Sequence, residues 1–418
     1  MIKLIHEQKA KKAGHNFMQA NVILKAGKER PLNRHHPWVY SNAVDRLEGK
    51  LYPGCTIHIL NHEDQFIAKG LYSPVSQIRV RILSWDESEI IDHTFFKRRI
   101  ARAISHRDQW VKNTNAIRLI FGESDGLPGL VVDQYADTLV CQFLFVGMEH
   151  WKEAITDALV KQTGCKRIVE RSDAAVRARE GLEPHIGSLF GELPTEPVLI
   201  NECGVLYTVD VLKGHKTGFY IDQRDSRDLL SQLSEDKEVL NVFCYTGGFS
   251  LAALKGGAKH VTSVDSSGDA LAMAQKQMAI NSFDDSRATW IDSDAFAVLT
   301  QLRKEERQFD IVVLDPPKFA PSAHHLEKAL GAYRQINRAG MQMLKPGGLL
   351  FTFSCSGAVD SALFERAIAM AGAEAMAHSS DKALDFRVMK RLSSGADHPL
   401  LTSFPEGDYL KGLLLQRV

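Results

Sequence analysis

Two reactive side chains follow neighbouring apolar runs in the C-terminal part of the sequence. Asp315 ends the run FDIVVLD, and Pro316 and Pro317 after it fix a rigid bend and remove two backbone donors. Cys355 ends the run GGLLFTFSC. At the ends of adjacent strands the two side chains would face one cleft, where a thiolate can act as a nucleophile. The alternative for Cys355 is a small buried side chain, which is the usual fate of a lone cysteine.

Such a pair suits methylation of carbon 5 of a cytosine, because this carbon is a poor nucleophile by itself. Addition of the Cys355 thiolate to C6 would make C5 enamine-like and able to accept a methyl group, while Asp315 at N3 would stabilise the adduct. A base would then remove the C5 proton, and the thiolate would leave. A free thiol has a pKa of about 8.5, so Cys355 needs local activation.

A glycine loop upstream of this pair predicts where a cofactor binds. In residues 238–253, EVLNVFCYTGGFSLAA, an apolar run ends in Tyr245-Thr246-Gly247-Gly248 and a helical pattern begins. Strand, glycine loop and helix in this order are typical of the first βα turn of a doubly wound sheet, where such sheets bind a cofactor. The loop lacks the G-x-G-x-x-G spacing of dinucleotide sites, which leaves a nucleoside cofactor or a plain βα turn.

Two acids follow the next strands in the order that a nucleoside site requires. Asp265 ends the strand HVTSVD, and a carboxylate there can accept hydrogen bonds from both ribose hydroxyls. Asp294 lies just past the third strand, where it or a backbone neighbour could reach an adenine amino group. Either acid alone indicates little, since aspartate is common after strands as a helix cap.

The elements that position these residues are strands and helices in alternation from residue 238 onward. Five strands with four intervening helices predict a right-handed, parallel, doubly wound sheet, and YLKGLLLQRV adds a last strand. Short strands and turns upstream predict a small β-rich domain, followed by a central α+β segment. The predicted α/β chain has a basic, poorly ordered extension at 1–20, a small β domain at 21–92, a central α+β domain at 93–197 and a Rossmann-like domain at 198–418.

Composition places the chain among ordinary globular proteins, with 44% hydrophobic and 24% charged residues. The net charge of zero gives no global attraction to nucleic acid. The apolar runs are too short to span a bilayer and the N-terminus lacks a signal-peptide core, so we expect a cytoplasmic protein with no membrane partner. Six cysteines without CxxC pairs argue against a zinc site and a disulfide framework, and no metal is expected.

One local feature suits RNA. The stretch RHHPWVY, residues 34–40, combines basic and aromatic side chains that offer phosphate contacts and stacking. Arg34, His36 and Trp38 are its candidate RNA contacts. The alternative, in which a loop tucks Trp38 into a small core, fits the pattern equally well.

Together these motifs resemble one family. From about residue 22 to residue 418 the chain is similar to the PUA-domain-containing 23S rRNA (cytosine-5) methyltransferases, the ribosomal large subunit methyltransferase I family. The motifs that carry the resemblance are RHHPWVYSNAV, FGESDGLPGLVVDQY, GHKTGFYIDQR, NVFCYTGGFSLAA, LDPPKFA and FSCS. The resemblance implies an N-terminal PUA domain, a Rossmann-like methyltransferase domain, S-adenosyl-L-methionine as cofactor and 23S rRNA of the large ribosomal subunit as partner.

The resemblance also implies roles for single residues. Asn241 stands where many methyltransferases have an acid near the methionine amino group, Asp315 would contact the target base and Cys355 would be the nucleophile. Lys318 joins the expected RNA contacts. The expected cofactor contacts are Phe219, Asp222, Gln223, Arg224, Asn241, Tyr245, Thr246, Gly247, Gly248, Asp265, Asp294, Asp315 and Pro316.

One departure from the family pattern leaves the final base open. Many RNA cytosine-5 enzymes carry a second cysteine after the proline of this strand, whereas Pro316 is followed here by Pro317, Lys318 and Phe319. A water or another side chain must therefore remove the C5 proton. Two alternatives remain at this point: a related rRNA guanine N-methyltransferase, in which Cys355 would have no role, and a non-catalytic RNA-binding protein. A homodimer is also open.

Overall fold

The N-terminal part of the chain forms a small, mostly antiparallel sheet. The structure, a computed structural model, describes residues 20–319, 323–377, 379 and 384–418, so the predicted extension at 1–20 lies outside the described residues except for Ala20. The first six strands are β1 (Asn21–Leu24), β2 (Trp38–Tyr40), β3 (Val44–Glu48), β4 (Thr56–Leu60), β5 (Phe66–Tyr72) and β6 (Ile78–Ser84). They pair in the order β2-β6-β5-β4-β1-β3, and the apolar side chains that alternate along β4 form a small core.

A central α+β unit follows. Its helices are α1 (His93–Trp110), α2 (Val146–His150) and α3 (Lys152–Thr163), and its strands are β7 (Ala116–Phe121), β8 (Leu130–Tyr135), β9 (Thr138–Phe143), β10 (Arg167–Ser172) and β11 (His185–Phe190). Asp92 caps α1 by accepting from the Phe95 backbone N–H. Phe95, Phe96 and Ile100 of α1 pack in one cluster with Leu71 and Leu83 of the first sheet, so the two units share a core.

The third unit begins with a hairpin and continues as the large sheet. The hairpin strands are β12 (Val198–Glu202) and β13 (Val205–Val209). The sheet strands are β14 (Glu238–Val242), β15 (His260–Asp265), β16 (Ala288–Asp292), β17 (Phe309–Leu314), β18 (Leu344–Ser354), β19 (Phe386–Leu392) and β20 (Lys411–Arg417). The helices are α4 (Arg224–Gln232), α5 (Gly248–Lys255), α6 (Gly268–Ile280), α7 (Ala295–Lys304), α8 (Leu326–Gln342) and α9 (Ser361–Ala377).

The order of the large sheet defines where a ligand can bind. The described strands pair as β16-β15-β14-β17-β18-β20-β19, with β14 to β18 parallel and β20 antiparallel to both its neighbours. The chain therefore moves outward from β14 in one direction and then returns to β17 on the other side. Such a reversal opens a crevice at the carboxyl ends of the central strands. Alternate side chains of these strands enter two core clusters, one on each face.

The doubly wound α/β architecture predicted from the sequence is confirmed, with one strand added. The edge strand β19 was not predicted, because basic residues interrupt its sequence FRVMKRL without regular alternation and its side chains from Arg387 to Arg391 are exposed. A strand without a buried face lacks the alternation of apolar and polar residues by which strands are predicted.

Candidate active site

A cavity of about 310 Å³ lies at the carboxyl ends of the central strands, where the sheet order reverses. Its walls come from the end of β14, from β15, β17 and β18, and from residues 215–227 before and within α4. The volume is at the lower end of the range for small-molecule sites. Among the residues predicted from the sequence, those that line the cavity are Phe219, Asp222, Gln223, Tyr245, Thr246, Gly248, Asp265, Asp315, Pro316 and Cys355.

The glycine loop is held in an unusual backbone conformation. Phe243, Tyr245 and Gly247 all have positive φ angles, of 63°, 48° and 80°. For the two aromatic residues this conformation is strained, and such strain clusters at ligand sites. Gly247 does not line the cavity, but a Cβ there would come within 3.0 Å of the Ala274 Cβ. Glycine is thus required for the tight packing of the loop on α6.

Asp265 connects this loop to β15. One carboxylate oxygen accepts the Tyr245 backbone N–H at 2.7 Å, and the other accepts the Ser267 backbone N–H at 3.0 Å. A carboxylate has about four lone-pair sites, so both oxygens can accept further hydrogen bonds from the cavity. The Tyr245 ring stacks on His215 at 4.5 Å and covers the loop from the outside.

Two acids in the cavity have opposite electrostatic environments. Burial and the nearby Asp222 charge raise the pKa of Asp315 to about 7, while the Lys216 charge and a hydrogen bond from Gln223 Nε2 at 3.0 Å act in the opposite direction. Burial would also raise the pKa of Asp222, but the Lys216 cation and hydrogen bonds hold it well below its usual range. Asp222 Oδ2 accepts from Lys216 Nζ and from the Tyr409 hydroxyl, each at 2.6 Å. Paired carboxyl groups with pKa values pushed apart are typical of acid–base sites.

Cys355 follows the end of β18, the strand that pairs with β17, and lines the same cavity as Asp315. Its Sγ is 4.0 Å from the Pro316 carbonyl oxygen, and the side chain is only partly exposed. Burial and the Asp315 charge raise the pKa of the Cys355 thiol, while Lys216 and Lys318 act in the opposite direction. Burial therefore favours the protonated thiol, and a reaction through its thiolate would require the proton to move first.

Three predicted cofactor residues point elsewhere. Asn241 is fully buried beneath the loop, where its amide donates to Ser250 Oγ at 2.8 Å. Arg224 makes a bidentate ion pair with Asp397, with two N–O distances of 2.9 Å. Asp294 caps α7 by accepting from a backbone N–H, the alternative that applies to any aspartate after a strand. These three residues do not line the cavity.

The candidate RNA contacts of the first sheet divide into two groups. Arg34 is exposed. Trp38 is half-buried, donates from Nε1 to Glu123 at 2.8 Å and packs edge-on against Phe404 at 4.8 Å. His36 Nε2 lies 3.2 Å from Glu406 Oε1. Trp38 therefore packs against other residues, as in the alternative interpretation. Its contacts are with Glu123 and Phe404, outside the first sheet, rather than within the core of that sheet.

These contacts belong to a connection that the sequence did not reveal. Residues 393–410 leave β19, cross both upstream units and return to β20. We call the contacts of residues 393–410 with the first two units and with Arg224 the junction. Asp397 and Phe404 provide its contacts to the central and first units, and Tyr409 brings it to the cavity. No local pattern marks such residues, because their partners are distant in sequence.

Within the described ranges, no helix is long and apolar enough to cross a membrane. The same residues contain no group of three or more His, Cys, Asp or Glu side chains that could hold a metal ion.

Comparisons with known proteins agree with this architecture. Residues 22–85 match a PUA-like domain family, and residues 178–380 match a family of S-adenosylmethionine-dependent methyltransferases. A relative from Shewanella frigidimarina, named ribosomal RNA large subunit methyltransferase I, is 45% identical over 400 residues, which covers 95% of this chain and 99% of the relative. A protein of the same name from Pseudoalteromonas translucida is 46% identical over 399 residues, with the same coverage.

Solved structures share the fold over the whole length. A Streptococcus mutans protein described as a SAM-dependent methyltransferase superposes with a TM-score of 0.79 at 21% identity, covering 95% of this chain and 99% of its own. A second structure, of a methyltransferase complexed with SAH, gives a TM-score of 0.81 with the same identity and coverage. The chain belongs to the ribosomal RNA large subunit methyltransferase I family and is an S-adenosylmethionine-dependent methyltransferase with an N-terminal PUA-like domain.

Proposed function

We propose that this member of the ribosomal RNA large subunit methyltransferase I family methylates carbon 5 of a cytosine in 23S rRNA through a covalent bond between Cys355 and C6. The observation that carries the proposal is the placement of the Cys355 thiol and the Asp315 carboxyl at neighbouring strand ends in one cavity. The names of the relatives support large-subunit rRNA as the substrate.

The residues of the cavity fit the methyl donor. Asp265 at the end of β15 suits the ribose hydroxyls, and the loop from Tyr245 to Gly248 suits the approach of a nucleoside to the backbone. Asp222 has a buried Oδ1 that no described residue bonds, which suits the amino group of the donor's methionine part. When bound, S-adenosylmethionine supplies an electrophilic methyl group for C5.

Asp315 and Cys355 share the proton transfers of the first step. With Asp315 ionised and Cys355 protonated, transfer of the thiol proton to Asp315 produces a thiolate and a neutral acid without any outside base. The thiolate forms the S–C6 bond, and the acid gives its proton to N3 as the ring gains electron density. Because Asp315 has a pKa of about 7, it can carry this proton in both directions near neutral pH.

The closing step reverses these transfers. Once C5 carries the methyl group, loss of its proton to a base lets the S–C6 bond break, and the sulfur leaves as a thiolate. The N3 proton returns to Asp315. Pro317, Lys318 and Phe319 follow Pro316 in place of a second cysteine, so a water or a different side chain takes the C5 proton.

The target nucleotide must enter from the open side of the cavity. Lys318 is exposed two residues after Pro316, and Arg34 is exposed on the PUA-like domain, so both can contact RNA phosphates. His36 and Trp38 act indirectly in this proposal, by holding that domain against residues 404–406. An rRNA substrate also favours the cytoplasm as the place of action. The homodimer expected as an alternative has no support among the relatives or the described residues and is not part of the proposal.

Nucleoside analysis tests the proposal against guanine methylation. The purified protein would be incubated with labelled S-adenosylmethionine and 23S rRNA from cells that lack the enzyme, and the digested RNA analysed by chromatography and mass spectrometry. We expect the label in 5-methylcytidine, and bisulfite sequencing then maps the nucleotide. Label in a methylguanosine would contradict the proposal, since ring-nitrogen methylation gives Cys355 no role.

A further inference from the structure

Gln223 lines the cavity and has a buried amide oxygen without a partner among the described residues. Its side chain is 2% exposed, it lines the cavity, and no described residue donates a hydrogen bond to Oε1. Its Nε2 donates to Asp315 Oδ2 at 3.0 Å. While Asp315 is ionised its carboxylate only accepts hydrogen bonds, so the amide nitrogen rather than the amide oxygen bonds it. The orientation of the amide therefore follows from chemistry.

Position distinguishes this oxygen from other unpaired amide oxygens. Among the described residues, Asn241, Gln277 and Asn337 also have a buried side-chain oxygen without a partner. None of these three lines the cavity, whereas Gln223 does. A buried acceptor that borders a ligand cavity is satisfied when the ligand brings an N–H or O–H group.

We propose that Gln223 is a specificity-determining residue that accepts a hydrogen bond from the exocyclic amino group of the target cytosine. The inference rests on the proposed function, because it places Asp315 at N3 of the same base. On cytosine, N3 is an acceptor and the amino group beside it is a donor. Asp315 in its acid form and Gln223 Oε1 present a donor and an acceptor, which matches that edge. Uracil reverses the pattern and would set O4 against Oε1.

The methyl donor is a less suitable partner for Gln223. Asp222, the preceding residue, also has an unpaired buried oxygen and carries a full negative charge beside Lys216. A carboxylate suits the cationic amino group of the donor, and a neutral amide suits the neutral amino group of a base. Gln223 is bonded to Asp315, which contacts the base, while Asp222 is bonded to Lys216 and Tyr409. The two neighbouring residues thus divide the cavity between donor and base.

A two-by-two comparison tests this assignment. Wild type and Gln223→Met would be compared on a 23S rRNA fragment that carries, at the mapped position, either cytidine or 2-pyrimidinone riboside, which lacks the amino group. Single-turnover methyl transfer and RNA affinity without donor would be measured for each pair. Gln277→Met is the matched control, because Gln277 is equally buried, bonds the glycine loop through Nε2 and lies outside the cavity.

We expect Gln223→Met to lose about 10- to 100-fold more in rate on cytidine RNA than on the 2-pyrimidinone RNA, because the lost bond to Asp315 affects both bases alike. The rate of each variant is divided by the wild-type rate on the same RNA, so that the intrinsic reactivity of the analogue cancels. Calorimetry should show S-adenosylmethionine affinity within about threefold of wild type. Equal losses on both bases, or a large loss of donor affinity, would overturn the assignment.

Two further readouts keep the test decisive. If Gln223→Met does not fold, Cys355→Ala, which cannot form the covalent bond, must still bind the 2-pyrimidinone RNA about tenfold more weakly than cytidine RNA, and equal affinity would refute the contact. Failure of the proposed function has a different signature, because wild type would then leave the cytidine fragment unmethylated.

Discussion

The junction and the reactive pair of the cavity, Asp315 and Cys355, bury ionisable groups in opposite ways. At the junction and next to it, three carboxylates each accept two hydrogen bonds from one arginine guanidinium. The pairs are Arg107–Asp125, Arg118–Asp133 and Arg224–Asp397. In the cavity, Asp315 is bonded by a neutral amide, and within the described residues no ion pair or charged hydrogen-bond donor reaches the Cys355 thiol.

The paired charges have a structural role, whereas the unpaired groups are suited to a chemical role. Paired charges with several hydrogen bonds hold the units of the chain in place, and removing one partner leaves the other buried and alone. Unpaired groups cost stability but remain able to exchange protons and bind substrate. Changes at the junction should therefore destabilise the fold, whereas changes at Asp315 and Cys355 should remove activity and leave stability equal or higher.

The largest effect is expected from Cys355→Ala. Loss of the nucleophile should reduce methyl transfer by at least about 10⁴-fold while S-adenosylmethionine affinity and the unfolding temperature change little. Initial rates with 23S rRNA, calorimetry and thermal unfolding measure the three quantities. Cys165→Ala, a buried cysteine of the central unit, is the matched control and should keep full activity. Turnover of Cys355→Ala near the wild-type rate would exclude a covalent mechanism.

Asp397→Asn should affect stability more than a change at Asp315 or Cys355. It removes the charge opposite Arg224 and weakens the bonds to the Arg118 backbone N–H and to His398. Breaking a buried ion pair costs about 3–5 kcal/mol, which urea unfolding can measure. Donor affinity of the folded variant should match wild type, and a selective loss of donor affinity would instead return Arg224 to the cofactor site.

Asp315→Asn should stabilise the fold, in contrast to Asp397→Asn. A carboxyl whose folded pKa is about 7, above its unfolded value near 4, destabilises the fold above that range and less as the pH falls. The variant should therefore be more stable than wild type by on the order of 1–3 kcal/mol at about pH 8, and the gap should close towards about pH 4. Urea unfolding over this range checks the trend, and a gap that is constant with pH would contradict the raised pKa.

The same carboxyl predicts a pH profile for the wild-type rate. The reactive pair has lost one proton in total, so kcat/KM should fall below about pH 7 as Asp315 and Cys355 both become protonated, and level off above it. In Asp315→Asn the remaining activity should lose this inflection. Stopped-time assays between about pH 5 and pH 9 would measure both profiles.

The smallest effect is expected from Arg34→Ala. This exposed side chain belongs to neither the junction nor the cavity, and loss of one phosphate contact should weaken RNA binding a few-fold and lower the slope of log affinity against log salt by about one. Fluorescence anisotropy at several salt concentrations measures the slope. An unchanged slope would remove Arg34 from the RNA surface, and Lys318→Ala offers the comparison at the mouth of the cavity.

The sequence predicted the residues of the cavity better than the contacts of the junction. Asp315, Cys355, Asp265 and the glycine loop lie at strand ends, and parallel strand order brings such positions to one crevice, so local patterns sufficed. Arg224 and Asn241 do not line the cavity, because packing pairs them with Asp397 and Ser250, which no local pattern reveals.

The junction was not predicted because its contacts join residues that are far apart in sequence. Asp397 lies 173 residues from Arg224, and Phe404 meets Trp38 across the whole chain. Neither the strand period nor the helix period reports contacts between separate units. Trp38 illustrates the consequence: its aromatic ring and basic neighbours fitted RNA stacking and domain packing equally, and the Glu123 and Phe404 contacts favour packing.

Trapping with 5-fluorocytidine RNA tests the central claim most directly. Fluorine at C5 replaces the proton that must leave, so the adduct cannot resolve after methyl transfer. Incubation of the enzyme with S-adenosylmethionine and the fluorinated 23S rRNA fragment should give a complex stable to denaturation, with the nucleotide attached to the Cys355 peptide in the mass spectrum. A complex that still forms in Cys355→Ala, or full methylation of unsubstituted RNA with no trapped complex, would contradict the account.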